Sequence, residues 1–145
     1  MIRFALIGAG RIGQMHAANI VAHDRCSLNW IYDVHAPSSE AVGAKTSAKV
    51  ARDLDEIFND ADVDAVFVAS STPTHADFIV RSVQSGKAVL CEKPIDLDIA
   101  KVEECSKQIS SAKSLIQIGF NRRFDPGHGQ LVSAVRNGEI GDLEQ

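Results

Sequence analysis

The stretch IRFALIGAGRIG at residues 2–13 decides the fold of this chain. Its first half, residues 2–7, is nearly all apolar, which is typical of a β-strand covered on both faces. Its second half carries glycines at positions 8, 10 and 13, the spacing G-x-G-x-x-G. Apolar residues at three-residue intervals then predict a helix: Ile12, Met15, Ala18 and Val21. A strand, a glycine turn and a helix in this order predict the first unit of a dinucleotide-binding fold.

Each glycine has a separate physical task in such a turn. Gly8 permits the tight turn, Gly10 lets a pyrophosphate approach the backbone, and Gly13 allows helix and strand to pack closely. The helix N-terminus offers free N–H groups and partial positive charge to the phosphates. We therefore count Arg11 and Ile12, which open the helix, with the three glycines as cofactor-binding residues. The alternative is a glycine turn that binds no ligand, and its position between a strand and a helix argues against that.

An acidic residue follows this motif at the expected distance. Asp33 lies 20 residues beyond Gly13, directly after the predicted strand at 28–32. Its carboxylate can accept hydrogen bonds from both hydroxyls of an adenosine ribose, and it repels a 2′-phosphate. Val34 and His35 follow, so no arginine is present there to bind such a phosphate. The sequence therefore predicts NAD rather than NADP, the alternative role being an aspartate that caps a turn.

Apolar runs alternate with amphipathic helices along most of the chain. This alternation predicts an α/β fold with a doubly wound parallel sheet of the Rossmann type. Five strands are predicted after the first, at residues 28–32, 49–51, 64–70, 88–91 and 114–119. We assign residues 1–120 to this domain. Residues 121–145 are interpreted as the start of a truncated second α/β domain, because a predicted strand at 140–144 has no partner in what precedes it.

Composition and charge exclude several classes of protein. The 145 residues are 45% hydrophobic and 23% charged, which suits one domain with a core. A net charge of −4 argues against nucleic acid or an anionic membrane as a partner, and no apolar stretch is long enough to span a bilayer. Three widely spaced cysteines favour a reducing cytoplasm over a disulfide framework. No histidine has the neighbours of a metal site, so no metal is predicted.

The triplet Glu92-Lys93-Pro94 follows the predicted strand at 88–91. Open α/β sheets bind ligands at the carboxyl ends of their strands. A lysine at this edge can donate a hydrogen bond to a substrate hydroxyl and stabilise the oxygen as its proton leaves. The alternative is a solvated surface lysine. No nucleophile elbow is present at residues 70–72, which argues against a hydrolase.

Four motifs read together resemble the Gfo/Idh/MocA oxidoreductases, and among them the inositol dehydrogenases. The motifs are GAGRIG at 8–13, TPTH at 72–75, CEKP at 91–94 and GFNRRFDP at 119–126. The resemblance covers the whole chain and implies that Lys93 is the catalytic lysine, which with Asn121 and Arg122 faces the substrate. It also implies further residues on the cofactor side, with Glu92 near the nicotinamide ribose: Ser70, Thr72, Pro73, His75 and Glu92.

The resemblance implies an NAD-dependent oxidation of a ring hydroxyl in a cyclic polyol, with myo-inositol as the first candidate. The family's catalytic aspartate and histidine would lie in the second domain, so we expect the isolated chain to be inactive. The family resemblance also implies a homo-oligomer. Two alternatives stay open: a sugar or aldose dehydrogenase of the same family, and a non-catalytic NAD-binding module.

Overall fold

The computed structural model describes residues 1–142 and residue 144, and within them six β-strands alternate with six α-helices. The strands are β1 (Ile2–Ile7), β2 (Cys26–Tyr32), β3 (Lys49–Val50), β4 (Ala65–Val68), β5 (Ala88–Cys91) and β6 (Ile116–Ile118). The helices are α1 (Arg11–Val21), α2 (Ala36–Thr46), α3 (Asp55–Phe58), α4 (His75–Gln84), α5 (Ile99–Ile109) and α6 (Pro126–Arg136). Two 3-10 helices cover Thr72–Thr74 and Asn121–Phe124.

The strands form one parallel sheet in the order β3-β2-β1-β4-β5-β6, which confirms the predicted doubly wound fold. β2 and β3 are added on one side of β1, and β4, β5 and β6 are added on its other side, so the strand order reverses between β1 and β4. Ile7 pairs with both Tyr32 and Val68, and Val68 pairs with Cys91, so four strands end side by side. Open α/β sheets bind ligands in the crevice beyond this edge, at the point where the strand order reverses.

Apolar side chains cover both faces of the sheet. Val66 and Val68 of β4 belong to a cluster on one face with Ile79 of α4, whereas Phe67 belongs to a cluster on the other face with Ile20 of α1. This division follows because successive strand residues point to opposite faces. Helices on both faces explain why the central strands are apolar runs rather than alternating patterns. Among the described residues, none of the helices has the length and apolar character that crossing a bilayer requires.

Charged groups hold the other end of β1. The Arg3 guanidinium donates to both carboxylate oxygens of Asp64, at 2.9 Å from Nε and 2.7 Å from Nη2, and it also contacts Asp62. The Arg3 backbone N–H donates to the same Asp64 carboxylate at 2.8 Å. These hydrogen bonds, first the side-chain one and then the backbone one, hold the pKa of Asp64 well below its usual range.

We expect this lowered pKa to stabilise the fold against acid. A carboxylate with a depressed pKa stabilises the folded state above its unfolded pKa of about 3.9, and that contribution is lost as the pH falls through the folded pKa. Arg3→Met should therefore lower the urea midpoint at pH 7, and the difference from the wild type should shrink below about pH 4. Urea titrations at pH 7, 5 and 3 check this, and a difference that is constant with pH would contradict it.

The tail beyond residue 120 has little contact with the sheet. Helix α6 packs against the 3-10 helix Asn121–Phe124. Leu131 and Val132 of α6 are exposed, and so is Ile140 beyond its end. Val135 is half-buried. The nucleotide-binding domain does not cover these exposed side chains. The predicted strand at 140–144 is wrong for residues 140–142 and 144, whereas Leu143 lies outside the described residues. The second domain stays a prediction.

Candidate functional site

The glycine turn between β1 and α1 is packed closely against β4. Gly8 has a φ of +102°, and a Cβ added to it would lie 2.5 Å from the Ala69 carbonyl carbon. A Cβ on Gly13 would lie 1.9 Å from the Gly8 carbonyl oxygen, so the helix approaches the turn as closely as the backbone permits. Gly10 differs, because a Cβ there would meet no atom within 4 Å. Two glycines are thus required by the fold, and the third faces open space.

That open space is part of a hollow of about 410 Å³ at the carboxyl edge of the sheet. The hollow is lined by the glycine turn, the start of α1, and the residues after β2 and β4: Ile7, Gly8, Gly10, Arg11, Ile12, Tyr32, Asp33, Val34, Ala69, Ser70, Ser71, Thr74 and Phe78. The first turn of α1 has no acidic side chain, and its N–H groups have no intrahelical acceptor. This end of the hollow therefore suits the pyrophosphate of a dinucleotide.

Asp33 lines the same hollow. Its Oδ2 accepts a hydrogen bond from the Ala9 backbone N–H at 2.6 Å, and its Oδ1 accepts one from the His35 N–H at 2.8 Å. These bonds fix the carboxylate against the glycine turn. Each carboxylate oxygen has two lone pairs, so acceptor capacity remains for ribose hydroxyls. The residues present fit the predicted dinucleotide, with the negative charge where a 2′-phosphate would lie.

A second hollow lies beyond the ends of β5 and β6. It has a volume of about 660 Å³ and is lined by Lys93 and by residues 120–123. Lys93, Asn121 and Arg122 are exposed, and the structure brings these three predicted substrate residues together. Lys93 lines this hollow and is not among the residues lining the one over the glycine turn. The three residues contribute two cationic groups and an amide to one surface, which can bind hydroxyl oxygens.

Ser70 and the TPTH motif at residues 72–75 do not all lie in the dinucleotide hollow. Ser70 lines the dinucleotide hollow, and its hydroxyl lies 2.8 Å from the Thr74 hydroxyl. Pro73 faces a separate groove between α4 and α5, and Thr72 is half-buried in its 3-10 helix. His75 is 2% exposed, with Nδ1 at 2.7 Å from the Pro94 carbonyl oxygen and Nε2 at 3.0 Å from the Ser70 carbonyl oxygen. His75 therefore links the segments after β4 and β5, and it is not among the residues that line the dinucleotide hollow.

Sequence reasoning missed a contact between α1 and the end of β5. His16 Nε2 lies 3.0 Å from Glu92 Oε1, and about a fifth of each side chain is exposed. The two residues are 76 positions apart, so no local pattern pairs them. A signal existed in the spacing of α1, since His16 falls four residues from both Ile12 and Ile20, on the inward row of the helix.

Cys91 precedes Glu92 and takes no part in the chemistry of this edge. The side chain is fully buried at the end of β5. Burial, and then the negative charge of Glu92, raise the pKa of the thiol to about 12. A thiol of this kind is protonated at neutral pH and is a poor nucleophile.

Comparisons with known proteins agree with this geometry. Residues 2–120 match the Gfo/Idh/MocA family model, described as an oxidoreductase family with an NAD-binding Rossmann fold. The chain is 42% identical over 143 residues to an inositol 2-dehydrogenase of Rhizobium meliloti, covering 99% of this chain and 43% of that protein. It is 38% identical to a myo-inositol 2-dehydrogenase of Thermotoga maritima, covering 97% and 42% respectively.

A solved structure shows the same fold with ligands. The scyllo-inositol dehydrogenase of Lactobacillus casei, determined with NAD(H) and scyllo-inositol, superimposes with a TM-score of 0.90 at 33% identity. The alignment covers 98% of this chain and 43% of that one, so the chain spans less than half the length of the relatives it matches. Residues 2–120 carry the family's NAD-binding fold, and the chain belongs to the Gfo/Idh/MocA oxidoreductases.

Proposed function

We propose that this chain is the NAD-binding part of a dehydrogenase that oxidises a ring hydroxyl of a cyclic polyol, with myo-inositol as the first candidate. The observation that carries the proposal is the pair of hollows at one edge of the sheet. The first contains the glycine turn and Asp33, and the second contains Lys93, Asn121 and Arg122. A dinucleotide and a small polar substrate need two such neighbouring regions.

In the first hollow the chain binds and orients the cofactor. The backbone at Gly10 leaves room for the pyrophosphate, and Asp33 accepts hydrogen bonds from the adenosine ribose. When bound, NAD supplies the acceptor for the hydride. We propose that Glu92, at the end of β5, lies near the nicotinamide ribose, and that Ser70, Thr72 and Pro73 lie along the cofactor.

In the second hollow the chain binds the substrate. The Lys93 ammonium donates a hydrogen bond to the reacting hydroxyl oxygen and stabilises the negative charge that develops as its proton passes to the histidine that the resemblance places in the second domain. Asn121 and Arg122 hold neighbouring hydroxyls, which fixes the ring for reaction. Arg122 contacts Asp125 at 3.4 Å, and this ion pair limits the positions of the guanidinium.

An assay of NADH formation tests this function. The assay uses a chain that contains residues 1–145 and the remaining length of the relatives, with a panel of inositol isomers and hexoses. Turnover of inositols supports the proposal, and turnover of hexoses alone supports a sugar or aldose dehydrogenase. Binding of NAD without turnover of any substrate in the panel supports a non-catalytic module.

Two further features stay proposals on the same basis. We propose that the protein assembles as a homo-oligomer and acts in the cytoplasm. Light scattering after size exclusion tests the first, and fractionation of cells tests the second. A monomer in solution or a location outside the cytoplasm would contradict these proposals without affecting the assignment of NAD.

A further inference from the structure

His16 and Glu92 connect the two halves of the proposed cofactor site. His16 lies on α1, the helix whose N-terminus faces the first hollow, and Glu92 follows β5 directly before Lys93. The 3.0 Å contact between Nε2 and Oε1 spans the two elements. A carboxylate oxygen accepts hydrogen bonds, so the His16 Nε2–H group donates a hydrogen bond to Glu92 Oε1.

The His16 imidazole ring packs against the buried ring of Phe67. Its centroid lies 4.2 Å from that of the Phe67 ring at an interplanar angle of 34°. Phe67 is a core residue of β4 and is 4% exposed. A side chain packed on a buried aromatic ring has little freedom to turn, so the direction of Nε2 is set by the core.

The second oxygen of Glu92 is held from the opposite side. Oε2 accepts a hydrogen bond from the Lys93 backbone N–H at 3.3 Å. The end of β6 is also close, because a Cβ added to Gly119 would lie 3.5 Å from both Cδ and Oε2 of Glu92. The carboxylate is therefore confined between α1, its own backbone and the end of β6.

We propose that His16 is the positioning residue for Glu92, holding the carboxylate in the orientation that receives the nicotinamide ribose. This inference rests on the proposed function, which places that ribose near Glu92. It predicts that His16 affects only the nicotinamide half of the cofactor. In the proposed function the pyrophosphate and adenosine contacts come from the glycine turn and Asp33, whereas the hydrogen bond of the His16 side chain goes to Glu92.

Calorimetry with two ligands separates this role from a general effect on the fold. NAD contains the nicotinamide ribose and ADP lacks it. His16→Phe keeps an aromatic ring against Phe67 but removes the donor, and His16→Gln keeps a donor amide. We expect His16→Phe to lower the affinity for NAD by roughly tenfold, the scale of one lost hydrogen bond to a charged group. The affinity for ADP should stay unchanged. His16→Gln should restore most of the NAD affinity.

A double-mutant cycle completes the test. In a Glu92→Ala background, His16→Phe should have no further effect on NAD affinity, because His16 acts by orienting Glu92. An equal loss for NAD and ADP, or additive losses in the cycle, would overturn the positioning role. Failure of the wild type to bind NAD would instead overturn the proposed function, so the two failures are distinguishable.

Discussion

Gly10→Val is expected to abolish NAD binding and leave the fold intact. A Cβ at this position would have no non-neighbouring protein atom within 4 Å, so we expect the valine side chain to enter the space of the pyrophosphate rather than the core. Losing two charge-assisted hydrogen bonds of roughly 1.5–3 kcal/mol each corresponds to a loss of roughly 100-fold or more in affinity. Calorimetry measures the affinity, and circular dichroism with thermal unfolding measures the fold.

Two other glycines provide matched controls for this experiment. Gly129→Val introduces the same side chain into similarly open space on α6, away from the hollow, and should keep NAD affinity. Gly13→Val should destabilise the fold itself, because a Cβ there would lie 1.9 Å from a carbonyl oxygen. Undiminished NAD binding by Gly10→Val would remove the glycine turn from the site.

Lys93→Ala is expected to lower turnover by on the order of 10²-fold or more, the scale for one preorganised donor. The measurement is the rate of inositol oxidation in a chain that also has the remaining length of the relatives. Lys93 lines the second hollow and not the dinucleotide hollow, so NAD affinity should change little. Lys93→Arg should also lower turnover, because a planar guanidinium presents its N–H donors in a different geometry from a compact ammonium.

The exposed Lys113, in the loop before β6, is the control for this prediction. Lys113→Ala removes the same charge from the surface and should keep the wild-type rate. If Lys93→Ala also oxidises inositol at the wild-type rate, Lys93 is a surface lysine and the proposed mechanism is wrong.

The central fold could be predicted because its signals are local. The apolar runs of β1 and β5 end at a glycine turn and at a charged triplet, and both strands have the predicted bounds. Asp98 caps α5 by accepting a hydrogen bond from the Ala100 N–H at 2.9 Å. β4 and β6 are shorter than predicted, because only Ala65–Val68 and Ile116–Ile118 form ladders with neighbouring strands.

Contacts between distant segments could not be predicted in the same way. The pairing of His16 with Glu92 depends on how α1 sits over the end of β5, and the two nitrogens of His75 contact carbonyls from two different loops. The tail was misjudged for a related reason. Ile140 and Leu143 favour a strand at 140–144, but a strand requires a partner, and the described residues offer none there.

The measurement that tests the account most directly is a titration of NAD and NADP into the wild type, Asp33→Ala and Asp33→Asn. The Asp33 carboxylate is fixed by the Ala9 and His35 N–H groups, so its charge stays where a 2′-phosphate would bind. The wild type should prefer NAD by roughly tenfold or more, about 1.4 kcal/mol, and both variants should lose most of that preference. Equal wild-type affinities for NAD and NADP would contradict the assignment of this site.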